Sequence, residues 1–203
     1  MTVPGRLGDC YGRRMVLGDL HDIAHVSRRE RARIAAARGE GMRMDEGADK
    51  IGALRDALRV LERSAAPCAL IGGVAVGVRS GVARATMDTD LAVTSTADRA
   101  ALVRALVAAG FTLRGEFAHS VNFRHSSGEP VQIVFDPTFD PMIARAEPVP
   151  MGDVIVRVVT TADLIAMKER AAGDPARPRS KALRDAADVA LLKGDLPDPD
   201  EGW

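Results

Sequence analysis

Asp88 and Asp90 stand one residue apart in the stretch Arg84-Ala85-Thr86-Met87-Asp88-Thr89-Asp90-Leu91-Ala92-Val93 of a 203-residue chain. Read as a strand, Arg84 to Val93 projects Arg84, Thr86, Asp88 and Asp90 from one face, because side chains alternate with a period of two. The two carboxylates then lie about 7 Å apart along one strand edge. Paired oxygens of this kind suit hard divalent cations such as Mg²⁺ or Mn²⁺. Cations held there neutralise a triphosphate and activate an attacking hydroxyl. Arg84 adds a planar fork that matches phosphate oxygens. Upstream, Cys68-Ala69-Leu70-Ile71 runs straight into Gly72-Gly73. Glycines at the end of a buried strand let backbone approach a ligand closely. At the start of a helix their amides face a phosphate. Taken singly, a Gly-Gly is more often a tight turn, and an Asp-x-Asp a solvated face or a cap. Their joint occurrence points to a nucleotide site.

The elements that must carry these residues are legible from periodicity. Ile51, Leu54, Leu58 and Leu61 recur at helical spacing, which predicts an amphipathic helix over 48–64. Pro67 ends it, and 68–71 reads as a buried strand. Val74 to Val78 continues as a short helix. Ser95-Thr96-Ala97-Asp98 predicts a capping box opening a helix that Gly110 closes. Strands are expected over 119–125 and 130–136, a short helix over 139–146 and a strand over 154–159. Thr160-Thr161-Ala162-Asp163 caps a helix to about 173, and 180–193 forms the last helix. This order is α+β, with a small mixed sheet, flanking helices and a helical C-terminal part.

Charge divides the chain. It holds 28 Lys+Arg and 28 Asp+Glu, yet residues 1–43 are net +4 and the remainder net −4. Residues 1–43 show no sustained apolar period, although Ser27-Arg28-Arg29-Glu30 fits a capped helix start running to Gly39. They read as a basic Gly/Arg-rich extension, either an over-called start upstream of Met42 or Met44, or an arm that touches RNA or a partner. Residues 44–194 form the expected catalytic domain and 195–203 an acidic tail. Neutral overall charge and 3% aromatics argue against sequence-blind coating of nucleic acid. The chain has no membrane-length apolar run and no secretory apolar stretch, and its two cysteines, Cys10 and Cys68, make no disulfide framework. A cytoplasmic protein with no membrane partner is expected.

Other chemistry is weaker. His21-Asp22-Ile23-Ala24-His25 has zinc-protease spacing but no third ligand. His119 and His125 are too far apart on one strand to share a metal. Cys68 reads as an inert core thiol, and Trp203 is uninformative.

Gly72-Gly73-x-Ala75 followed by Arg84-x-Thr86-x-Asp88-x-Asp90 resembles the nucleotidyltransferase superfamily of the DNA polymerase β type, and within it the AbiEii toxin family, MenT-like members included. Two further motifs extend the resemblance over about residues 48–193. Asp163-Leu164-Ile165-Ala166-Met167-Lys168 is similar to the family's Asp-Leu-Ile-Ala-x-Lys helix. Arg179 to Val189 looks like its closing Arg/Lys-Asp-x-x-Asp helix, with Asp185 and Asp188. The resemblance implies a minimal nucleotidyltransferase fold, Mg²⁺-NTP as substrate, and transfer of a nucleotide to a hydroxyl of a tRNA 3′ end or a protein. It also implies a cognate antitoxin. Gly72, Gly73, Arg84, Thr86 and Lys168 would bind nucleotide, and Asp88 and Asp90 the metal. Lys168 would sit on phosphate, with Asp185 orienting it or the base. On a helix face these two residues can equally be solvated charges. The chain has only four lysines against 24 arginines, however, so a lysine at this position is less casual.

The departures are also specific. Where the family places a third carboxylate, Val131-Gln132-Ile133-Val134 offers Gln132, which is neither a base nor an anionic ligand. Asp136 shares its parity about 13 Å further along and is the expected replacement. Thr89 stands where an apolar residue is usual, and the spacing from Gly73 to Asp88 is slightly long. The alternative is therefore a catalytically impaired pseudo-nucleotidyltransferase that binds nucleotide, RNA or a partner without transfer.

Overall fold

In the computed structural model, which describes residues 17–39, 48–151 and 154–195, seven strands form one mixed sheet flanked by seven helices. The helices are α1 (Leu17–Ala37), α2 (Lys50–Arg63), α3 (Gly72–Ser80), α4 (Arg99–Ala108), α5 (Asp140–Arg145), α6 (Thr161–Ala172) and α7 (Arg179–Leu192). The strands are β1 (Cys68–Ile71), β2 (Thr89–Val93), β3 (Thr112–Glu116), β4 (Ser120–Arg124), β5 (Pro130–Val134), β6 (Glu147–Met151) and β7 (Val154–Val158). Their spatial order is β3-β4-β5-β2-β1-β7-β6. At the centre β1 and β2 run antiparallel, with β7 parallel to β1 and β5 parallel to β2. The α+β expectation holds.

Central strands carry the core. Ala69, Leu70, Leu91, Ala92, Val131 and Ile133 are all buried, as two-sided coverage of a sheet demands. Over them α6 and α7 pair with one another and touch α3, while α2 meets α4. The two edges are the strands that hydropathy does not reveal. β3 reads Thr-Leu-Arg-Gly-Glu with no buried residue, and β6 contains Pro148 and Pro150. An edge strand needs ladder bonds on one side only, so proline is tolerated there.

Two local expectations shift. The helix after β2 is capped by Asp98, whose carboxylate accepts from the Ala101 amide at 2.9 Å, while the Ser95 amide and hydroxyl both donate to Asp140. The expected box at Ser95 is thus displaced by three residues. The strand expected from Arg84 begins only at Thr89, and residues 81–86 have no regular structure.

A larger correction concerns the expected basic extension. Its described part, α1, starts ten residues before Ser27, so Ser27 caps nothing; its hydroxyl donates to the Ile23 carbonyl at 2.6 Å within the helix. Leu20, Ile23, Ala24, Ser27 and Arg31 form one buried stripe, and Leu20 and Ile23 join the central core. The stripe escapes hydropathy because two of its positions are Ser and Arg. An ideal β-carbon on Gly77 of α3 would lie 2.6 Å from Ile23 Cδ1, so glycine is what lets the two helices meet. The Met42/Met44 boundary, Cys10, and the acidic tail beyond Asp195 with Trp203 lie outside the described residues.

If α1 is integral to the fold, Ile23→Ala should cost about 2–5 kcal/mol, the usual range for a buried Ile truncation. Urea unfolding followed by circular dichroism measures it, and a change under about 0.5 kcal/mol would mark α1 as an appendage.

Candidate functional site

The site begins with the β1–β2 ladder. Antiparallel pairing sets Ile71 opposite Asp90, so the first residue after β1, Gly72, falls beside the Asp90 carboxylate. Gly72 has φ +69°, and an ideal β-carbon there would lie 2.0 Å from Asp90 Oδ2. Left-handed backbone and lack of space both require glycine. One residue on, a β-carbon at Gly73 would lie 2.4 Å from Arg84 Nη1 and 2.6 Å from Thr86 Oγ1. The chain between α3 and β2 therefore folds back over the two glycines. That return brings Arg84, Thr86, Asp88 and Asp90 to the start of α3, although residues 84–88 are not the expected strand.

Asp88 and Asp90 are close enough to repel. Burial pushes the Asp90 carboxyl up to about 7 and the Asp88 charge adds to this, opposed by Lys168, Lys50 and Arg84. Among the described residues neither aspartate's carboxylate has a hydrogen bond or a close ion pair. Two adjacent hard-oxygen donors without a protein cation between them fit one divalent ion. Among the described residues no cluster of three or more acidic, histidine or cysteine side chains adds further ligands.

The C-terminal helices bring the cations. Lys168 of α6 is buried between two acids of α7, with Nζ 2.8 Å from Asp185 Oδ1 and 2.8 Å from Asp188 Oδ2. Asp188 also pairs with Arg84, and Asp185 with Arg177 at 2.5 Å. Burial works against the Asp185 carboxylate, but Lys168 and Arg177 outweigh it and hold its carboxyl below the usual range. Lys168 and Asp185 are thus neither solvated nor independent. Asp185 and Asp188 both pair with Lys168, and Asp188 also joins it to Arg84, so both helix motifs and the loop before Asp88 form one charged cluster. Asp188 and Arg177 carry this link. The sequence offers Asp188 only as a motif letter, and Arg177 lies between α6 and α7, outside every motif it offers.

The third carboxylate departs from expectation. β2 and β5 pair in parallel with Asp90 opposite Gln132, so Gln132 occupies the position beside Asp90. Its amide donates to Asn122 Oδ1 at 2.9 Å on the next strand. Asp136 is not brought to the site. It lies beyond the end of β5, past the Ala92–Val134 pair, at the opposite end of β2 from Asp90. There its carboxylate accepts from the Thr138 amide at 2.9 Å and caps the 3₁₀ turn Pro137–Phe139; this bond lowers its pKa. Pro137 bends the chain away from the sheet, so parity along a strand no longer applies. Thr89, the second departure, is buried and donates to Glu129 at 3.3 Å, which explains a polar residue at that position.

The weaker candidates remain structural. His21 and His25 are exposed on α1. His125 packs on Phe111 and lies 2.9 Å from the Ser127 hydroxyl, while His119 is exposed. Burial raises the Cys68 thiol to about 11, well above the reactive range. Among the described residues no helix is long and apolar enough to cross a membrane.

With this geometry in hand, the chain compares clearly with known proteins. The family model for the nucleotidyl transferase AbiEii toxin of type IV toxin–antitoxin systems matches residues 55–201. Among solved structures, the lincomycin-bound lincosamide adenylyltransferase LnuA is 14% identical with a TM-score of 0.53, over 71% of this chain and 97% of that one. JHP933 from Helicobacter pylori is 17% identical with a TM-score of 0.50, over 74% and 67% respectively. At these identities the likeness is one of fold. No curated protein sequence matches.

A buried, raised carboxyl has a definite pH signature. The folded state keeps its Asp90 proton up to about pH 7, whereas the unfolded chain releases it in the ordinary carboxylate range. This stability is present in full at low pH and is lost as pH rises through about 7. Urea unfolding without divalent cations should show the protein losing stability from pH 5 to pH 8, and Asp90→Asn should flatten that decline. An equal decline in the variant would refute the assignment.

Proposed function

The chain belongs to the AbiEii nucleotidyltransferase toxin family, and on that premise we propose that it transfers a nucleotide from an NTP to an acceptor hydroxyl. The observation that carries this reading is the pair Asp88–Asp90, closely apposed and without a protein counter-charge in contact, at the glycine-opened start of α3. These two carboxylates would hold the Mg²⁺ or Mn²⁺ ion that such enzymes use. When bound, that ion offsets triphosphate charge and favours the deprotonated acceptor.

The protein's own groups have separable tasks. Gly72 and Gly73 let Asp90, Arg84 and Thr86 close onto the start of α3, whose first amides would face phosphate, where the helix dipole favours negative charge. Arg84 and Lys168 supply positive charge to the departing pyrophosphate. Both are held in place by Asp188, and Lys168 also by Asp185, so little reorganisation is needed when phosphate arrives. Thr86 fills the space beside Gly73 and donates weakly to the Asp88 carbonyl at 3.4 Å. The acceptor oxygen attacks the α-phosphorus, the bond from the α-phosphorus to the bridging oxygen of the β-phosphate breaks, pyrophosphate leaves with that oxygen and its electron pair, and the acceptor's proton passes to solvent.

An RNA acceptor is favoured by α7. Its acids Asp185 and Asp188 are buried toward the cluster, whereas Arg179, Lys181 and Arg184 are exposed. One helix thus turns an all-cationic charged face outward in a chain of net zero charge, as phosphate-backbone contact requires. A tRNA 3′ end and a cognate antitoxin are the family's implication. A cytoplasmic setting follows from that partner class.

Gln132 supports a second reading. A neutral amide beside Asp90, already engaged with Asn122, leaves the site one carboxylate short. A protein so built would bind nucleotide and partner without transfer.

Incubation with labelled ATP, CTP, GTP or UTP, Mg²⁺ and total RNA separates the two. Labelled RNA is expected with one NTP, with loss of about 10²–10³-fold on Lys168→Ala, the range for removing one preorganised charge donor. Label should vanish in the Asp88→Ala, Asp90→Ala double variant. Nucleotide binding without label in RNA or protein would favour the second reading, and label that survives the double variant would sink the first.

A further inference from the structure

Behind the aspartate pair lies a second charged cluster, built from three separated parts of the chain. Glu129, fully buried between β4 and β5, takes Arg31 of α1 at 2.5 Å on one oxygen and Lys50 of α2 on the other. Arg31 and Lys50 are themselves 5% and 2% exposed. Both precede the segment that matches the family model, which starts at residue 55. Lys50 then reaches forward, and its Nζ donates to the Asp88 carbonyl at 3.2 Å. Two residues earlier the Thr86 amide donates to the buried hydroxyl of Ser27 on α1, at 3.0 Å. Thr89, next to Asp88, donates to Glu129 itself. The segment from Thr86 to Thr89, the first residue of β2, is therefore gripped by its backbone before Asp88, at Asp88 and by the side chain after it.

Energetics give this arrangement a purpose. Three buried charges, two positive and one negative, are costly to desolvate, and apolar residues of similar volume commonly serve stability as well or better. A loop with no ladder bonds, carrying one of two mutually repelling carboxylates, has in contrast a definite need for external restraint. We propose that Lys50, set by Glu129 and Arg31, is a positioning residue that fixes Asp88 against Asp90 for divalent-cation binding, with Ser27 as its companion on the Thr86 side. Lys50 touches no reacting atom, and it acts through the Asp88 main chain. The inference rests on the metal-binding reading of the Asp88–Asp90 pair given above.

Two effects of removing Lys50 have opposite signs. Deleting a cation near two carboxylates strengthens their attraction for a divalent ion by Coulomb's law alone. Releasing Asp88 from its position weakens it. Lys50→Met is a suitable variant because it leaves Glu129 paired with Arg31, so no buried acid is orphaned.

Mn²⁺ titration of the full chain, with and without ATP, followed by electron paramagnetic resonance, reads the sign directly. The expected result is Mn²⁺ affinity lowered by about 10-fold in Lys50→Met, with the melting temperature changed by only a few degrees. Unchanged or tighter Mn²⁺ binding overturns the proposal. If Lys50→Met fails to fold, Ser27→Ala decides. A drop of roughly 3-fold or more in Mn²⁺ affinity supports the clamp, and an unchanged value refutes it. Wild-type protein that binds no Mn²⁺ would instead defeat the metal reading itself and this inference with it, whereas wild-type binding with unchanged variants defeats the inference alone.

Discussion

Like charges do not sit together in a protein without a reason, and the juxtaposition of Asp88 and Asp90 organises everything around it. Burial and the neighbouring Asp88 charge raise the Asp90 carboxyl to about 7, so by itself the pair works against the stability of the fold. The surrounding architecture answers in two ways. It makes room by placing glycines at 72 and 73, where any β-carbon would strike the Asp90 carboxylate or the side chains of Arg84 and Thr86. It also rings the pair with cations at one remove. Lys168 and Arg84 are held on Asp185 and Asp188 on one side, and Lys50 on Glu129 behind. None of these forms a close pair with the two aspartates, so their oxygens remain available to a ligand.

That arrangement explains why the central sheet has the pairings it has. The antiparallel β1–β2 ladder opposes Ile71 to Asp90, and the parallel β2–β5 ladder opposes Asp90 to Gln132. A register slip of one residue in either ladder would turn Asp90 to the other face and leave Gly72 with nothing to accommodate. The chemistry therefore depends on strand register more than on any single loop. It depends also on α1, which holds the Thr86 amide through Ser27 and the Glu129 carboxylate through Arg31.

Much of this was legible in the residues themselves, for identifiable reasons. Gly72-Gly73 and Asp88-x-Asp90 could be joined because each needs the other's chemistry, and Lys168 stood out among four lysines. Two of those four, Lys50 and Lys168, prove to be the buried ammonium groups of the site. Lys50 gave no warning, because a lysine opening an amphipathic helix ordinarily lies in solvent. Arg31 and Ser27 concealed α1 in the same way. A buried stripe in which polar residues are paired across the fold has no hydropathic period, so the segment reads as an extension. Edge strands β3 and β6 were invisible because an edge need not alternate and can hold proline.

Asp136 marks the boundary between the two kinds of information. Sequence alone determined that Gly72-Gly73 and Asp88-x-Asp90 could carry nucleotide chemistry, and most of the α+β order of elements, since these follow from side-chain chemistry and local periodicity; that Gln132 stands in place of a carboxylate is what the family resemblance implies. Parity along a strand also made Asp136 a plausible substitute. Only the tertiary structure could decide otherwise, because the β2–β5 pairing sets Gln132 level with Asp90 and Pro137 turns the chain aside after Asp136. It alone also revealed that Glu129, Lys50 and Arg31 meet across separations of 79 and 98 residues. Ion pairs of such range leave no local pattern, since a buried charge is matched by whatever the fold brings beside it, at whatever distance along the chain.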